Sequence, residues 1–354
     1  MKQTVVDSHW HLYICEDENG RDFCAVMDAI QERNGLKAMN ICAIPIYQEL
    51  GPAQNILAAL YKLHNPTAYA YGGIVYPRKP FEKPMPSGMD PLSQYEELMD
   101  IGFDGIKMLE TKPTEQKQYQ IRIDDDYFDG LFATCEADET PMIWHVADPA
   151  SFWDIQRIPA RFLERGWFYG DGSYLSYEQT YGQVYRVLER HPRLKATFAH
   201  FFFQSETPEK LEALFENYRG ISVDITPGSE MYGDFRRKQA YWREFFIRYA
   251  DRIMLGTDTS IKEGNLDRFC QRYEAVRDFV TTDREVTVIQ ETCRGLALPQ
   301  DVCDKILYQN FEKAAGETPK SVNRKALKQY VEKYGHLIKD EKLAAYIHRA
   351  VKDF

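Results

Sequence analysis

Eight short runs rich in β-branched and aromatic residues recur along the chain, and a helix-like stretch follows each. The runs span 4–10, 37–46, 68–76, 103–109, 141–147, 194–203, 221–226 and 252–257. The stretches between them are punctuated as helices are: Gly35 is placed as a C-cap, Asp90 and Pro91 as N-cap and N1, Thr207 and Pro208 likewise, with Gly220 as a stop. Strand–helix alternation implies parallel strands joined by right-handed crossovers. Eight such units predict a closed (β/α)8 TIM barrel, and 354 residues hold a barrel of about 250 with additions. An open doubly wound sheet is the alternative fold, but no GxGxxG follows the first run and there is no phosphate loop. The barrel is expected over 1–318, closing with the helix "QDVCDKILYQNFEKAAG". A charged helical tail, 319–354, is expected to pack on the barrel or to form a homo-oligomer contact.

Three connections exceed the usual βα length. Residues 77–90 are Pro-rich. Residues 148–175 carry Phe152, Trp153, Trp167, Phe168, Tyr169 and Tyr174. Residues 227–240 carry Met231, Tyr232, Arg236 and Arg237. All three follow strands, so in a barrel they rise from the C-terminal face, where active sites form. The aromatic loop is read as a pocket wall or lid, against the alternative of a self-packed satellite core. The net charge is −10 with no basic stripe, which argues against nucleic acid and against anionic membranes as partners. No window approaches about 18 apolar residues, and the N-terminus has no signal-peptide apolar core. Seven scattered cysteines without a CxxC pair fit reduced thiols and a cytoplasmic location.

The chemistry lies at the strand ends. "VVDSHWH" places His9 and His11 two residues apart on the first run, so both side chains leave the same face. Trp10 then points the other way, into the strand–helix layer. Asp7 is a further two residues back on the histidine face, a support for the ligands or a cap on a polar layer. His145 ends the fifth run, His200 the sixth, and Asp258 follows the eighth. The remaining histidines, His64, His191, His336 and His348, fall in helical or tail stretches. Barrel strand ends converge on one mouth, and imidazoles with a carboxylate there suit a divalent ion such as Zn2+.

This pattern of HxH after strand one, His after five, His after six and Asp after eight resembles the signature of the amidohydrolase superfamily. The chain is most similar to its amidohydrolase-related ("amidohydrolase 2") branch, which includes aminocarboxymuconate-semialdehyde decarboxylase. "DGIKML", "FAH", "LGTD" and "ILYQNFEKAAG" extend the likeness from Val5 to about Gly316. The resemblance implies His9, His11, His145 and Asp258 as metal ligands, Asp258 and His200 as the catalytic pair, and one divalent ion, most often Zn2+. A second ion would add His200 as ligand and a carboxylated Lys107 as bridge. One metal is the reading taken, with Lys107 a buried or substrate-facing cation and Glu110 a solvated loop residue. Asp7, Lys107, Arg78, Trp153, Arg157 and Tyr232 are the support and substrate-contact candidates. The implied activity is hydrolysis of a small amide, lactone or ester by metal-activated water. The alternative is non-oxidative decarboxylation of an unsaturated acid, clamped by Arg78, Arg157, Arg236 or Arg237. "GTDTSIKEG" departs from the Asp-Tyr-Pro-Phe or Asp-Trp-Pro that relatives carry after strand eight. A third reading, a barrel that binds a ligand without turnover, would be favoured by loss of a ligand, and all five are present.

Overall fold

The eight runs assemble into one parallel sheet in the computed structural model, which describes residues 3–17, 19–46, 50–228, 230–261, 266–352 and 354. Its strands are β1 (Val6–Leu12), β2 (Ala38–Cys42), β3 (Tyr69–Gly72), β4 (Gly105–Thr111), β5 (Met142–Val146), β6 (Ala196–Phe198), β7 (Ile221–Asp224), β8 (Ile253–Met254) and β9 (Thr259–Ile261). They hydrogen-bond in the order β8-β7-β6-β5-β4-β3-β2-β1-β9, with helices between. The ninth strand is not an extra unit. β8 pairs with β7 through Val223–Ile253 and Asp224–Met254, while β9 pairs with β1 through Trp10–Thr259 and His11–Ser260. The eighth stave is therefore split, and the two sheet edges meet across residues 255–258. A backbone bond from Ser8 to the Leu255 carbonyl (3.1 Å) bridges the same gap. Of the segment after the split, residues 262–265 lie outside the described ones.

Local chemistry sets the helix ends. Asp22 accepts from Cys24 N and Gly35 ends that helix at φ 63°. Asp90 accepts from Ser93 N ahead of Pro91. Ser176 and Gln179 form a reciprocal capping box. Thr207 precedes its helix but its hydroxyl donates to Gln204 Oε1 (2.6 Å) instead of capping. Gly220 is not the helix stop, since that helix ends at Asn217. It is required because a Cβ there would lie 2.1 Å from the Leu194 carbonyl.

The sixth run departs most from expectation. Its strand ends at Phe198, and His200 to Phe203 all adopt left-handed backbone, at φ 56°, 57°, 58° and 50°. Each such residue costs about 1–2 kcal/mol. Compensation comes from Asp224 and Thr226, which accept from His200 N at 2.8 and 3.1 Å. Phe202 also stacks on Phe198 with ring centroids 4.2 Å apart, and Phe201 on Phe246 at 5.7 Å. The turn buries three phenylalanines and aims His200 at the mouth.

Beyond the barrel lie an antiparallel hairpin, β10 (Glu285–Val288) and β11 (Glu291–Arg294), and two tail helices, Arg324–Tyr334 and Glu341–Ala350. The tail helices pack against helices Ala53–His64 and Pro91–Ile101, and their Leu327, Tyr330, Tyr334 and Ile347 join the main apolar core. Leu327 is fully buried. Leu327→Ala is expected to destabilise the whole chain by about 2–5 kcal/mol in urea unfolding, in a single transition with the barrel. A tail that melted separately would show that it contributes little to the core.

Candidate metal centre

Parallel β1 delivers His9 and His11 to the mouth on one face, and Trp10, fully buried, to the other, where its ring meets Phe269 edge-on. The break in the eighth stave delivers Asp258, held at φ 49°. Among the described residues, His9, His11 and Asp258 place ligand atoms within 4.8 Å of one another. His145 and His200 line the same cavity of about 200 Å3, with Lys107 and Ser260.

The back of each ring decides what its front can do. His9 Nδ1 faces Asp224 Oδ2 (3.0 Å), so it carries the proton and leaves Nε2 a lone pair. His11 Nδ1 faces the Cys42 carbonyl (2.6 Å) and His200 Nδ1 the Thr226 carbonyl (3.3 Å), with the same consequence. The three Nε2 atoms point at Asp258: 3.0 Å for His11, 3.8 Å for His9, 3.9 Å for His200. Lone pairs of neutral imidazole and of carboxylate therefore face each other, an arrangement that calls for a proton or a cation between them. Two donors on a tetrahedral zinc lie roughly 3.3–3.6 Å apart, given bonds of about 2.0–2.2 Å. The observed spread brackets that value. His145 is turned: its Nε2 faces the Ala147 carbonyl (2.9 Å), so Nδ1 is the ring atom left with a lone pair.

Asp224 is the support that sequence reasoning missed. One oxygen holds the His9 ring, the other accepts from His200 N, Thr226 N and the Thr226 hydroxyl. Its only sequence signal is position: a carboxylate ending the seventh run, as the histidines end theirs. Asp7 holds no ring. It accepts from Thr257 N and Oγ1 (3.0 and 2.7 Å) and Trp10 Nε1 (2.6 Å), tying β1 to the split stave, and is thus the polar-layer residue.

Burial pushes the His9, His145 and His200 pKa values down to about 4. Burial would raise Asp258 and Asp224, but for Asp258 the His11 ring at 3.0 Å and the imidazoles of His9 and His200 beside it hold the carboxyl well below its usual range, and for Asp224 the bond with His9 wins. Lys107 Nζ lies 2.9 Å from His9 Nε2, and burial lowers its pKa. A cation entering beside His9 meets this amine.

Several candidates lie elsewhere. Arg78 is exposed, pairs with Glu82 (2.7 Å) and lines a separate cavity with Tyr76 and His336. Arg157 pairs with Glu206 (2.7 Å) on an outer groove. Arg236 reaches Glu291 and Arg237 pairs with Asp234. Tyr232 is core, because the short helix Met231–Arg237 turns it inward, against Phe235 and Phe279 with its hydroxyl on the Ile225 carbonyl. Trp153 donates to the Leu175 carbonyl and packs on Tyr169 and Tyr177. Glu110 is not solvated: it is buried on β4, accepts from Tyr76 OH (3.2 Å), and burial raises it to about 7.

The aromatic loop is both a satellite core and a wall. Phe152, Ile158, Phe162 and Tyr169 form their own cluster. Phe152, Phe162 and Trp167 also line an outer chamber of about 420 Å3, which shares Lys112, His145, Trp167, His200 and Asp258 with the inner cavity.

No family model matches the sequence, and no curated protein matches it. Solved structures resemble the fold. The uncharacterized TIM-barrel protein Bb4693 from Bordetella bronchiseptica gives a TM-score of 0.54 at 15% identity, covering 89% of this chain and all of that one. A protein designated an amidohydrolase from Staphylococcus aureus gives 0.54 at 14%, covering 88% and 99%. The 4-oxalomesaconate hydratase of Rhodopseudomonas palustris gives 0.51 at 12%, covering 94% and 99%. At these identities the likeness is one of fold.

The histidine pKa values have a direct readout. The folded state keeps His9, His145 and His200 neutral where an unfolded chain protonates them, so their stabilising contribution is present above about pH 6.5 and lost as pH falls to about 4. Asp7 and Glu110, each raised to about 7 by burial, act oppositely between their unfolded values and that pH, which flattens the net stability profile. Imidazole NMR of the chelator-treated protein is therefore the measurement: three rings should titrate near pH 4. Titration of these three rings near 6.5 would contradict this electrostatic picture.

Proposed function

We propose that the chain is a metal-dependent hydrolase of the amidohydrolase superfamily, acting on a small organic amide, lactone or ester. One observation carries the reading: His11 Nε2 and Asp258 Oδ1, both acceptors once His11 Nδ1 donates to the Cys42 carbonyl, face each other at 3.0 Å. His9 and His11 with Asp258 would hold one divalent ion, Zn2+ by donor type, and His145 would complete the set through Nδ1. Such an ion lowers the pKa of bound water towards about 7 and polarises a carbonyl.

The chain's own groups supply the rest. Asp258, its side chain one-third exposed at the mouth, takes the proton of the attacking water and returns it to the leaving group. His200, whose Nε2 carries a lone pair 3.9 Å from Asp258 Oδ2, takes up a proton released in the reaction and then donates it to the developing oxyanion. Asp224 keeps the His9 ring in the tautomer that leaves Nε2 unprotonated. Decarboxylation on the same cluster is the second reading, favoured by arginine beside Asp258: Arg272 Nη1 donates to the Asp258 carbonyl at 3.1 Å. No described helix is long and apolar enough to cross a membrane, and the seven cysteines are unpaired and buried, in keeping with a cytoplasmic enzyme.

Purified protein is expected to hold about one equivalent of zinc by elemental analysis, and His9→Ala or Asp258→Ala to lose it. Asp224→Asn, which keeps the shape, should weaken metal affinity by about 10–100-fold. Hydrolysis of lactone and amide panels, set against CO2 release from unsaturated acids, separates the two reactions. A wild-type chain without stoichiometric metal, indistinguishable from both alanine variants in metal content and melting, would refute the assignment.

A further inference from the structure

The outer chamber carries more positive charge than the chemistry at the histidine cluster uses. Lys112, Arg161, Arg165, Arg268 and Arg272 line it, against two carboxylates, Asp148 and Asp258. Both carboxylates are engaged: Asp148 accepts from Lys112 at 2.8 and 2.9 Å and from Tyr169 at 2.7 Å, and Asp258 faces the imidazoles. The chain as a whole has 54 acidic and 44 basic residues, so this local excess runs against its composition. Nearby arginines outside the chamber do have acidic partners, Arg157 with Glu206 and Arg237 with Asp234.

Arg161 and Arg165 do not. Among the described residues neither has a carboxylate within ion-pair range, and each instead lies on an aromatic face. Arg161 Cζ is 4.6 Å from the Phe162 ring centroid, and Arg165 Cζ is 5.7 Å from that of Trp167 and 5.9 Å from that of Phe162. Phe162 and Trp167 are themselves stacked, 5.6 Å apart and within 8° of parallel. A guanidinium lying on a ring is oriented yet keeps its N–H edge for an anion. Trp167 lines both the inner and the outer cavity, so one small molecule touching it reaches both.

We propose that the outer chamber is an anion subsite, in which Arg161 and Arg165 grip a carboxylate or phosphate at the end of the substrate remote from the histidine–aspartate cluster. The ligand is a small acid with a flat, apolar body: its anion sits on the arginines, its body lies against Trp167 and Phe203, and its reacting group reaches the cluster. The reacting end rests on the hydrolase reading above, whereas the anion subsite does not need it.

Calorimetric titration of the full chain tests this, zinc-loaded and chelator-treated, with isophthalate, phenyl phosphate and neutral isophthalamide as probes. Isophthalate or phenyl phosphate should bind in both metal states, and whichever binds tighter identifies the anion as carboxylate or phosphate. Arg161→Gln/Arg165→Gln should weaken that binding about tenfold or more with an unchanged melting temperature, and Arg161→Lys/Arg165→Lys should restore part of it. The neutral diamide should bind about tenfold more weakly than the dianion. Equal binding of the diamide, a double glutamine variant within about twofold of the parent, or no binding of either anion by the parent overturns the subsite. Arginine-dependent binding by a parent that takes up no zinc when zinc is supplied refutes the hydrolase reading alone. A metal-loaded parent without such dependence refutes the subsite alone.

Discussion

The carboxylate of Asp224 is the interaction on which the mouth of this barrel depends. It is fully buried, and it joins three neighbouring pieces of the sheet: the His9 ring from β1, the His200 backbone after β6, and its own strand β7. A buried carboxylate is tolerable only when its lone pairs are filled, and here four donors fill them. The left-handed turn at His200 and the tautomer of His9 both follow from that arrangement. Removing this one anion would take the shortest bond from the His200 backbone and leave the His9 ring free to rotate.

A second constraint is closure. The eighth stave cannot run straight between β7 and β1. It breaks at 255–258, and the break puts Asp258 over the mouth in a conformation disfavoured for an L-residue. Gly256 permits the crossing, since a Cβ there would meet Thr226 Cγ2 at 2.7 Å and His9 Cβ at 3.0 Å. Asp7 secures the same segment from β1 through Thr257. The strain at Asp258 and the support beneath it are thus parts of one device, which holds a carboxylate where three imidazoles converge.

Much of this was readable from residue type and position. Histidine is rare in the chain, and four of eight stood at strand ends, so periodicity alone brought His9, His11, His145 and His200 towards one mouth. Asp224 escaped because aspartate is common and nothing in "ISVDIT" sets it apart from a solvated strand end. Tyr232 and Trp153 misled for the opposite reason. They lie in loops of the right face, but short helical turns and local self-packing decide where loop side chains point, and no sequence period reports that. Arg161, Arg165 and the hairpin tip at Ile289 and Gln290 belong to the chamber wall by tertiary placement alone. The split of the eighth stave was likewise invisible, because "RIMLGTDTS" reads as a strand that simply ends.

Lys107 sharpens the account. Its amine lies 2.9 Å in front of His9 Nε2, and an ion and an ammonium cannot share that face at low dielectric. The direct measurement is X-ray diffraction from zinc-loaded crystals with anomalous scattering at the zinc edge. The account predicts one strong peak about 2.0–2.2 Å from Nε2 of His9, Nε2 of His11 and an oxygen of Asp258, with Lys107 withdrawn from His9. A map with no peak there, and Lys107 still 2.9 Å from His9 Nε2, would contradict it.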